Sequence, residues 1–245
     1  MGIQHEVSGG VAEVVIDIPP VNALPSAAWF QLADMVRGLG ENPEIRVVVI
    51  RAEGRGFCAG VDLKELQADP EAIVAVNRGC AEAFASVYEC KVPVIAAVHG
   101  FCLGGGIGIA GNADILLASS DATFGLPEVE RGALGAATHL SRLVPQHRMR
   151  ALMYTGQTAT AEELHSYGSV LEVVEREELP AAARKVAEEI AGKPPEVIRL
   201  AKESLNGIDP VDVKRSYRFE QGFTFEAHIA GLGEEARRRF LDGRE

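Results

Sequence analysis

Residues Val92–Gly111 read VPVIAAVHGFCLGGGIGIAG, a β-branched apolar run followed by thirteen residues of which six are glycine. The run has the composition of a buried strand, and Gly104–Gly106 then open a stretch with helical character. Three uses of such a turn compete. Glycines permit a tight turn and close helix packing without any further function. Gly106, Gly108 and Gly111 also satisfy the G-x-G-x-x-G spacing of dinucleotide sites, although Phe101, Cys102 and Leu103 intervene between strand and turn, where that fingerprint opens directly on the strand end. The third use is a set of backbone donors: the first N–H groups of a helix have no intrahelical acceptor, and without side chains a ligand oxygen can reach them.

Working outward, Val11–Asp17 (VAEVVID) and Arg46–Ala52 (RVVVIRA) read as buried strands. Between them Trp29, Leu32, Met35, Val36 and Leu39 recur at helical spacing, entered at Pro25-Ser26 and ended at Gly40. Glu71–Tyr88 is helix-like and Ala113–Ala118 (ADILLA) strand-like, so the alternation predicts an α/β class with short parallel strands. After Gly132 the composition turns helical, with segments at 148–154, 161–167, 180–191, 195–205 and 211–230, broken by a strand-like stretch at 169–174. The side chains show no repeat, and no Gly/Ser linker separates mobile domains.

The 245 residues, 47% of them hydrophobic, suffice for a large core. A net charge of −11 argues against a nucleic-acid or anionic-membrane partner, which would demand a dense positive field. Four irregularly spaced cysteines and six scattered histidines show no metal-ligand spacing and no disulfide framework, so no metal is expected. The opening MGIQHEV has no targeting pattern and no run reaches membrane-spanning length, which predicts a cytoplasmic protein.

Arg55–Glu65 (RGFCAGVDLKE) repeats the order strand, turn, helix. Two amides from separate turns can converge on one carbonyl oxygen, which is what stabilising an enolate requires; losing one such donor typically costs about 10²–10³ in rate. In order along the chain, VNALPS, GFCAGVDLKE, VPVIAAVHGFCLGGG, NADILLAS, FGLPEV and the Ala201–Ser204 run AKES resemble the crotonase (enoyl-CoA hydratase/isomerase) superfamily. The resemblance implies a crotonase-like spiral of ββα turns over 1–190 and a C-terminal helical region over 191–245. That second region would build a homotrimer or dimer of trimers and part of the active-site cover. It places the oxyanion hole at the N–H groups of Val61 and Gly105, with Ala59, Gly104, Gly108 and Arg131 as substrate-binding neighbours. It also implies an acyl-CoA substrate, coenzyme A being part of that substrate and no separate cofactor being needed.

Hydratases of that superfamily use two glutamates. Here the first position is Gly108 and the second is Glu128, which leaves an oxyanion hole with one general base. Glycine at 108 is expected to make room for a bulky acyl group. FGLPEVERGALGAATHLSRLVPQH, YECKVPVIAAVHGFCLGGGIG and SYRFEQGFTFE are further similar to the actinobacterial steroid-degradation branch, whose members open the last steroid rings as CoA thioesters. The implied reaction is hydrolytic: water activated by Glu128 adds to a ring ketone, the C–C bond to the α-carbon breaks, and the thioester enolate forms in the hole. Hydration or isomerisation by Glu128 alone is the alternative; a nicotinamide oxidoreductase and a non-catalytic acyl-CoA binder stand behind it.

Other residues carry two readings each. Asp62 is a helix N-cap or a polar contact to substrate. His139 is a second proton carrier or a packing residue. Glu128 itself could pair with Arg131. Tyr217, Phe219, Phe223 and Phe225 form a core or subunit stripe, or a lid. Cys58 and Cys102 lack an activating partner, and no serine elbow is present. Arg51, Arg55, Lys64 and Arg237–Arg239 are the candidate cations for the nucleotide end.

Overall fold

Two glycines with positive φ, Gly9 and Gly10, turn the first strand, β1 (Gly2–Ser8), back onto β2 (Val11–Asp17) as an antiparallel hairpin. This is seen in a computed structural model that describes residues 2–243; Met1 and Arg244–Glu245, the outer ends of the two expected regions, lie outside the described residues. From β2 onward the backbone repeats one pattern of long strand, short strand and helix. The first unit is β2, β3 (Ala23–Leu24) and α1 (Ser26–Glu41). The second is β4 (Val47–Ala52), β5 (Gly60–Val61), α2 (Leu63–Ala68) and α3 (Ile73–Tyr88). The third is β6 (Val94–Val98), β7 (Phe101–Leu103) and α4 (Gly105–Ala110). The fourth is β8 (Ile115–Ser119), β9 (Thr123–Gly125), a 3₁₀ turn over Pro127–Arg131 and α5 (Ala137–Leu140). There follow α6 (Gln146–Thr155), β10 (Thr158–Thr160), α7 (Ala161–Ser166), β11 (Glu172–Val174), α8 (Leu179–Ala191), α9 (Pro195–Ile208), α10 (Val213–Ile229) and α11 (Glu234–Leu241).

The long strands form one sheet in the order β1-β2-β4-β6-β8-β11, parallel throughout except at β1–β2. Their side chains alternate with period two. Val14, Ile16, Val48, Ile50, Val94 and Ala96 face inward, onto a core shared with α1, α3 and α4. Val11, Val47, Val49, Ile95 and Leu117 face the other way, where Leu179, Ala183, Ala187 and Ala191 of α8 cover them. α8 therefore seals the outer face of the parallel sheet, as such sheets require.

The short strands stack into small sheets, β3–β5 and β7–β9–β10, bridged where Cys58 pairs with Cys102. Successive turns are thus locked side by side: Leu103 N–H donates to Cys58 O at 2.9 Å and Cys58 N–H to Phe101 O at 3.2 Å. Asn22, buried and at φ 52°, ties the first two turns. Its Oδ1 accepts from Ile18 N–H, its Nδ2 donates to Glu53 O and Gly56 O, all at 2.8 Å, and its carbonyl accepts from Ala59 N–H. At the other end of the chain, the Lys202 of the AKES run is buried in α9, with its ammonium 2.7 Å from both oxygens of Asp114.

The Asn22 amide predicts its own test. Asn22→Ala strands three backbone groups, one buried and two part-buried, and removes a residue type tolerant of its left-handed conformation, so it should destabilise the fold by about 3 kcal/mol. A lowered urea midpoint at unchanged slope would report it; an unchanged midpoint would show that the amide is dispensable.

Candidate active site

The second and third turns meet at glycine. Gly60 has φ +93°, and a Cβ there would lie 3.1 Å from Gly105 N. Gly104 has φ +55°, and a Cβ on Gly105 would meet the Trp29 ring at 2.7 Å. The backbones of β5 and of the start of α4 are therefore in direct contact above a buried indole.

Their amides are disposed as a pair of donors. In the β3–β5 register Leu24 faces Val61, and Asp62 N–H donates to Leu24 O, so the Val61 amide points away from β3. Gly105 opens α4, where the helix supplies no acceptor for its N–H. Val61 and Gly105 both line a cavity of about 370 Å³, walled chiefly by apolar residues of α2 and α3 and by the segment Arg131–Ala136.

Glu128, in the 3₁₀ turn, lines the same cavity. Its Oε2 is buried without a hydrogen-bond partner among the described residues, and space for the carboxylate exists only because 104 and 135 are glycines: a Cβ there would lie 2.2 and 2.6 Å from Oε1 and Oε2. Burial raises its pKa to about 7, against the smaller opposing pull of its own backbone N–H and of the Arg131 charge, with Glu220 adding to the rise. A carboxyl with this value can both take and return a proton near neutrality. Glu220 reaches it from α10: its two oxygens accept from Ala137 N–H (2.7 Å), Thr138 N–H (3.0 Å) and Thr138 Oγ1 (2.9 Å), capping α5 and holding the Gly132–Ala136 segment against Glu128.

The structure sorts the other expected residues. Ala59 lines the cavity, and Gly104 sits directly behind Glu128. Asp62 is the N-cap of α2, accepting from Lys64 N–H at 2.9 Å, while its side chain stays at the cavity wall. Arg131 also lines the cavity, with its guanidinium stacked 4.0 Å from the Phe240 ring centroid.

Gly108 is a correction. It does not line the cavity; a Cβ at 108 would lie 2.2 Å from the Phe84 ring, so the volume freed by the missing side chain is filled by phenylalanine. His139 is a second correction. It is 1% exposed, its Nδ1 lies 2.9 Å from Asn112 Nδ2, and it packs against Phe84 and Tyr217. Burial lowers its pKa to about 3, so it carries no proton in the neutral range beyond the one fixed on its ring.

The dinucleotide spacing fails on the same ground. Cβ atoms at Gly106, Gly108 and Gly111 would strike Cys58 O, the Phe84 ring and His139 O within 2.8 Å, so all three glycines pack on protein rather than face a pyrophosphate. Burial pushes the Cys58 thiol up to about 12 and raises Cys80 and Cys102, which removes them as nucleophiles. Among the described residues no group of three or more His, Cys, Asp or Glu could hold a metal ion, and no helix is long and apolar enough to cross a membrane.

Of the cations, Arg51 is spent on Glu13 and Glu53, and Arg239 pairs with Glu235; Lys64 and Arg237 line the cavity. The late aromatic stripe splits. Tyr217 and Phe225 face inward, Thr224 and His228 line the cavity, and Phe219 and Phe223 point outward. The sequence reading passed over Gly60, Asn77, Cys80, Gly135 and Glu220. Only Asn77 had a local signal, a polar residue on the Ile73, Val76, Asn77, Cys80 stripe.

Comparison with known proteins fits this geometry. The Enoyl-CoA hydratase/isomerase family profile matches residues 6–229. A protein of Rhodococcus jostii (strain RHA1), named (7aS)-7a-methyl-1,5-dioxo-2,3,5,6,7,7a-hexahydro-1H-indene-carboxyl-CoA hydrolase, is 61% identical over 99% of this chain and 95% of its own. A Mycobacterium tuberculosis protein of the same name is 60% identical over 95% of each. The crystal structure of an enoyl-CoA hydratase/isomerase from Xanthobacter autotrophicus Py2 superposes with a TM-score of 0.90 at 25% identity, covering 100% of this chain and 96% of that one.

A desolvated carboxylate should cost stability. Because the folded pKa of Glu128 lies near 7 and the unfolded value near 4.5, the penalty is absent below the unfolded value and complete above the folded one. Glu128→Gln should therefore be more stable than the parent at pH 8, by about 3 kcal/mol, and no more stable at pH 4. Denaturant titrations at the two pH values check this; an advantage independent of pH would refute the desolvation account.

Proposed function

Since the chain belongs to the enoyl-CoA hydratase/isomerase family, we propose that it hydrolyses a ring carbon–carbon bond of a bicyclic diketo CoA thioester in the breakdown of the last steroid rings. The observation that carries this is one desolvated carboxylate and two backbone donors lining a single largely apolar cavity. The hydratase alternative is disfavoured by Phe84, which occupies the place beside Gly108 where a second carboxylate would have to reach.

The thioester oxygen is held by Val61 N–H and Gly105 N–H. Ionised Glu128 takes a proton from water as its oxygen adds to the ring ketone, giving a tetrahedral alkoxide. Collapse of the alkoxide restores a carbonyl as a carboxylic acid, and the electrons of the broken bond pass to the α-carbon as the thioester enolate. Protonated Glu128 returns its proton to that carbon, and the new acid ionises to solvent. No metal or redox cofactor enters the balance. Lys64 and Arg237, at the wall, are suited to the CoA phosphates, and their short-range fields act within about 10 Å despite the net charge of −11.

The described surface supports self-association. Val197, Leu200 and Ile208 of α9 and Phe219, Phe223 and Ile229 of α10 are exposed, between 48 and 82%, an apolar display that a homotrimer or dimer of trimers would cover. Residence in the cytosol is part of the same proposal, consistent with four free cysteines.

Incubation with a bicyclic diketo CoA thioester should add the mass of one water and open one ring; unchanged mass with a shifted double bond would establish isomerisation instead. Glu128→Gln should lower kcat about 10²–10⁴-fold while ester binding persists. In the parent, kcat/KM should rise with pH through an apparent pKa near 7, because the base must be ionised, and this limb should vanish in the variant. Sedimentation should find trimers or hexamers; a monomer at micromolar concentration would overturn the assembly.

A further inference from the structure

The proposed hydrolysis puts negative charge on two oxygens in turn, on the ring ketone oxygen when water adds and on the thioester oxygen when the ring bond breaks. Val61 and Gly105 N–H are placed for the second. The first has no donor in the mechanism above, and an alkoxide left without one in a largely apolar cavity is strongly disfavoured. The two carbonyl carbons are joined through a single atom, so the missing donor has to lie in the same cavity and near Glu128, which takes the proton of the adding water.

The other donors lining the cavity are committed elsewhere. His228 Nε2 lies 3.0 Å from Pro70 O, the Arg131 guanidinium is stacked on Phe240, and Asn77 Nδ2 is a buried atom closed off from the cavity. Thr224 stands two turns beyond Tyr217 on α10, about 10 Å along the helix toward His228. Tyr217 is placed differently.

Its half-buried ring packs against Phe84 and His139, with centroids 5.1 and 4.8 Å away, and stands in the partition between the large cavity and a second one of about 220 Å³. Phe84 and His139 line the second cavity, so the body of the ring belongs to that side. The hydroxyl end belongs to the other. Cys80, Glu220 and Glu128 are the charges that act on it, and none of the charged residues around the second cavity does. Glu220, one turn on along α10, is the residue that fastens α5 and the segment lying against Glu128. Burial, followed by those three neighbours, holds the Tyr217 pKa well above the ordinary tyrosine range, so the phenol keeps its proton near neutrality and is a donor. Gln221 favours the phenolate and so donates toward the oxygen, which leaves the phenol's own proton with no acceptor among the described residues.

We infer that Tyr217 is a catalytic residue whose hydroxyl donates a hydrogen bond to the ring ketone oxygen and holds it as the alkoxide forms. The inference rests on the proposed hydrolysis. The phenol keeps its proton throughout, so the proton balance of that mechanism is unchanged: Glu128 still takes one proton from water and returns it to the α-carbon. Two oxyanions are thereby served by two separate donor sets, the backbone of β5 and α4 for the enolate and one side chain of α10 for the alkoxide.

The test compares the parent with Tyr217→Phe on the bicyclic diketo CoA thioester. Phenylalanine keeps the ring packed on Phe84 and His139 and removes only the hydroxyl, so the variant should melt with the parent. The expected result is a kcat lowered about 10²–10³-fold, the loss typical of one oxyanion donor, at a KM within about threefold of the parent's. The limb of kcat/KM near pH 7 should persist in the variant, because Glu128 still titrates. Turnover within about threefold of the parent's would overturn the assignment, as would a loss carried by KM alone. A fall in kcat accompanied by a shifted limb would also overturn it, by showing that Tyr217 acts through Glu128. If the parent itself leaves the diketo ring closed, the proposed hydrolysis falls, a result distinct from parent turnover that Tyr217→Phe retains.

Discussion

The contact of Gly60 with Gly104–Gly105 is the constraint on which the site depends. Two backbone segments from different turns of the spiral approach closely: a Cβ on Gly60 would lie 3.1 Å from Gly105 N, while Glu128 and Trp29 leave no room for one on Gly104 or Gly105. Fixed in this way, the Val61 and Gly105 amides have the preorganisation that the proposed oxyanion hole calls for. The sheet, the Asn22 cross-links and the Cys58–Cys102 bridge all hold the turns at that spacing. The fold as a whole can be understood as a device for stacking short strands so that their ends converge.

Glu128 shows the opposite economy. Where the amides are left free to donate, the carboxylate is disfavoured, since its charge is desolvated and its Oε2 is unpaired among the described residues. The surroundings enforce this: glycines at 104 and 135 close in without offering side-chain donors, and Glu220 adds a like charge from α10 while fastening α5. A carboxyl titrating near neutrality is therefore obtained at the expense of fold stability, and α10 contributes to it through Glu220.

Much of this was legible in the chain. VAEVVID coincides with β2 and Tyr88 ends α3, because β-branched runs and helical periodicity are local signals. The spiral's repeat was invisible because what recurs is a backbone pattern filled by dissimilar side chains, with short strands of two or three residues. β1 carries little local signal because Ile3 is its one buried residue. Asn22 and Glu220 act on groups 31 to 83 residues away, a relation that no spacing rule records.

Gly108 marks the limit of reasoning from side-chain size. A glycine beside a cavity suggests an opened pocket, but interiors are close-packed, so a missing side chain is ordinarily matched by a larger neighbour. Here Phe84 is that neighbour, and it stands in an aromatic cluster with Trp29, His139 and Tyr217. The open space lies instead among small residues lining the cavity itself, Ala23, Ala59, Gly132, Ala133, Gly135 and Ala136. Gly108 and Phe84 are thus one close-packed contact outside the cavity lining, and the desolvated carboxylate at the cavity wall is that of Glu128.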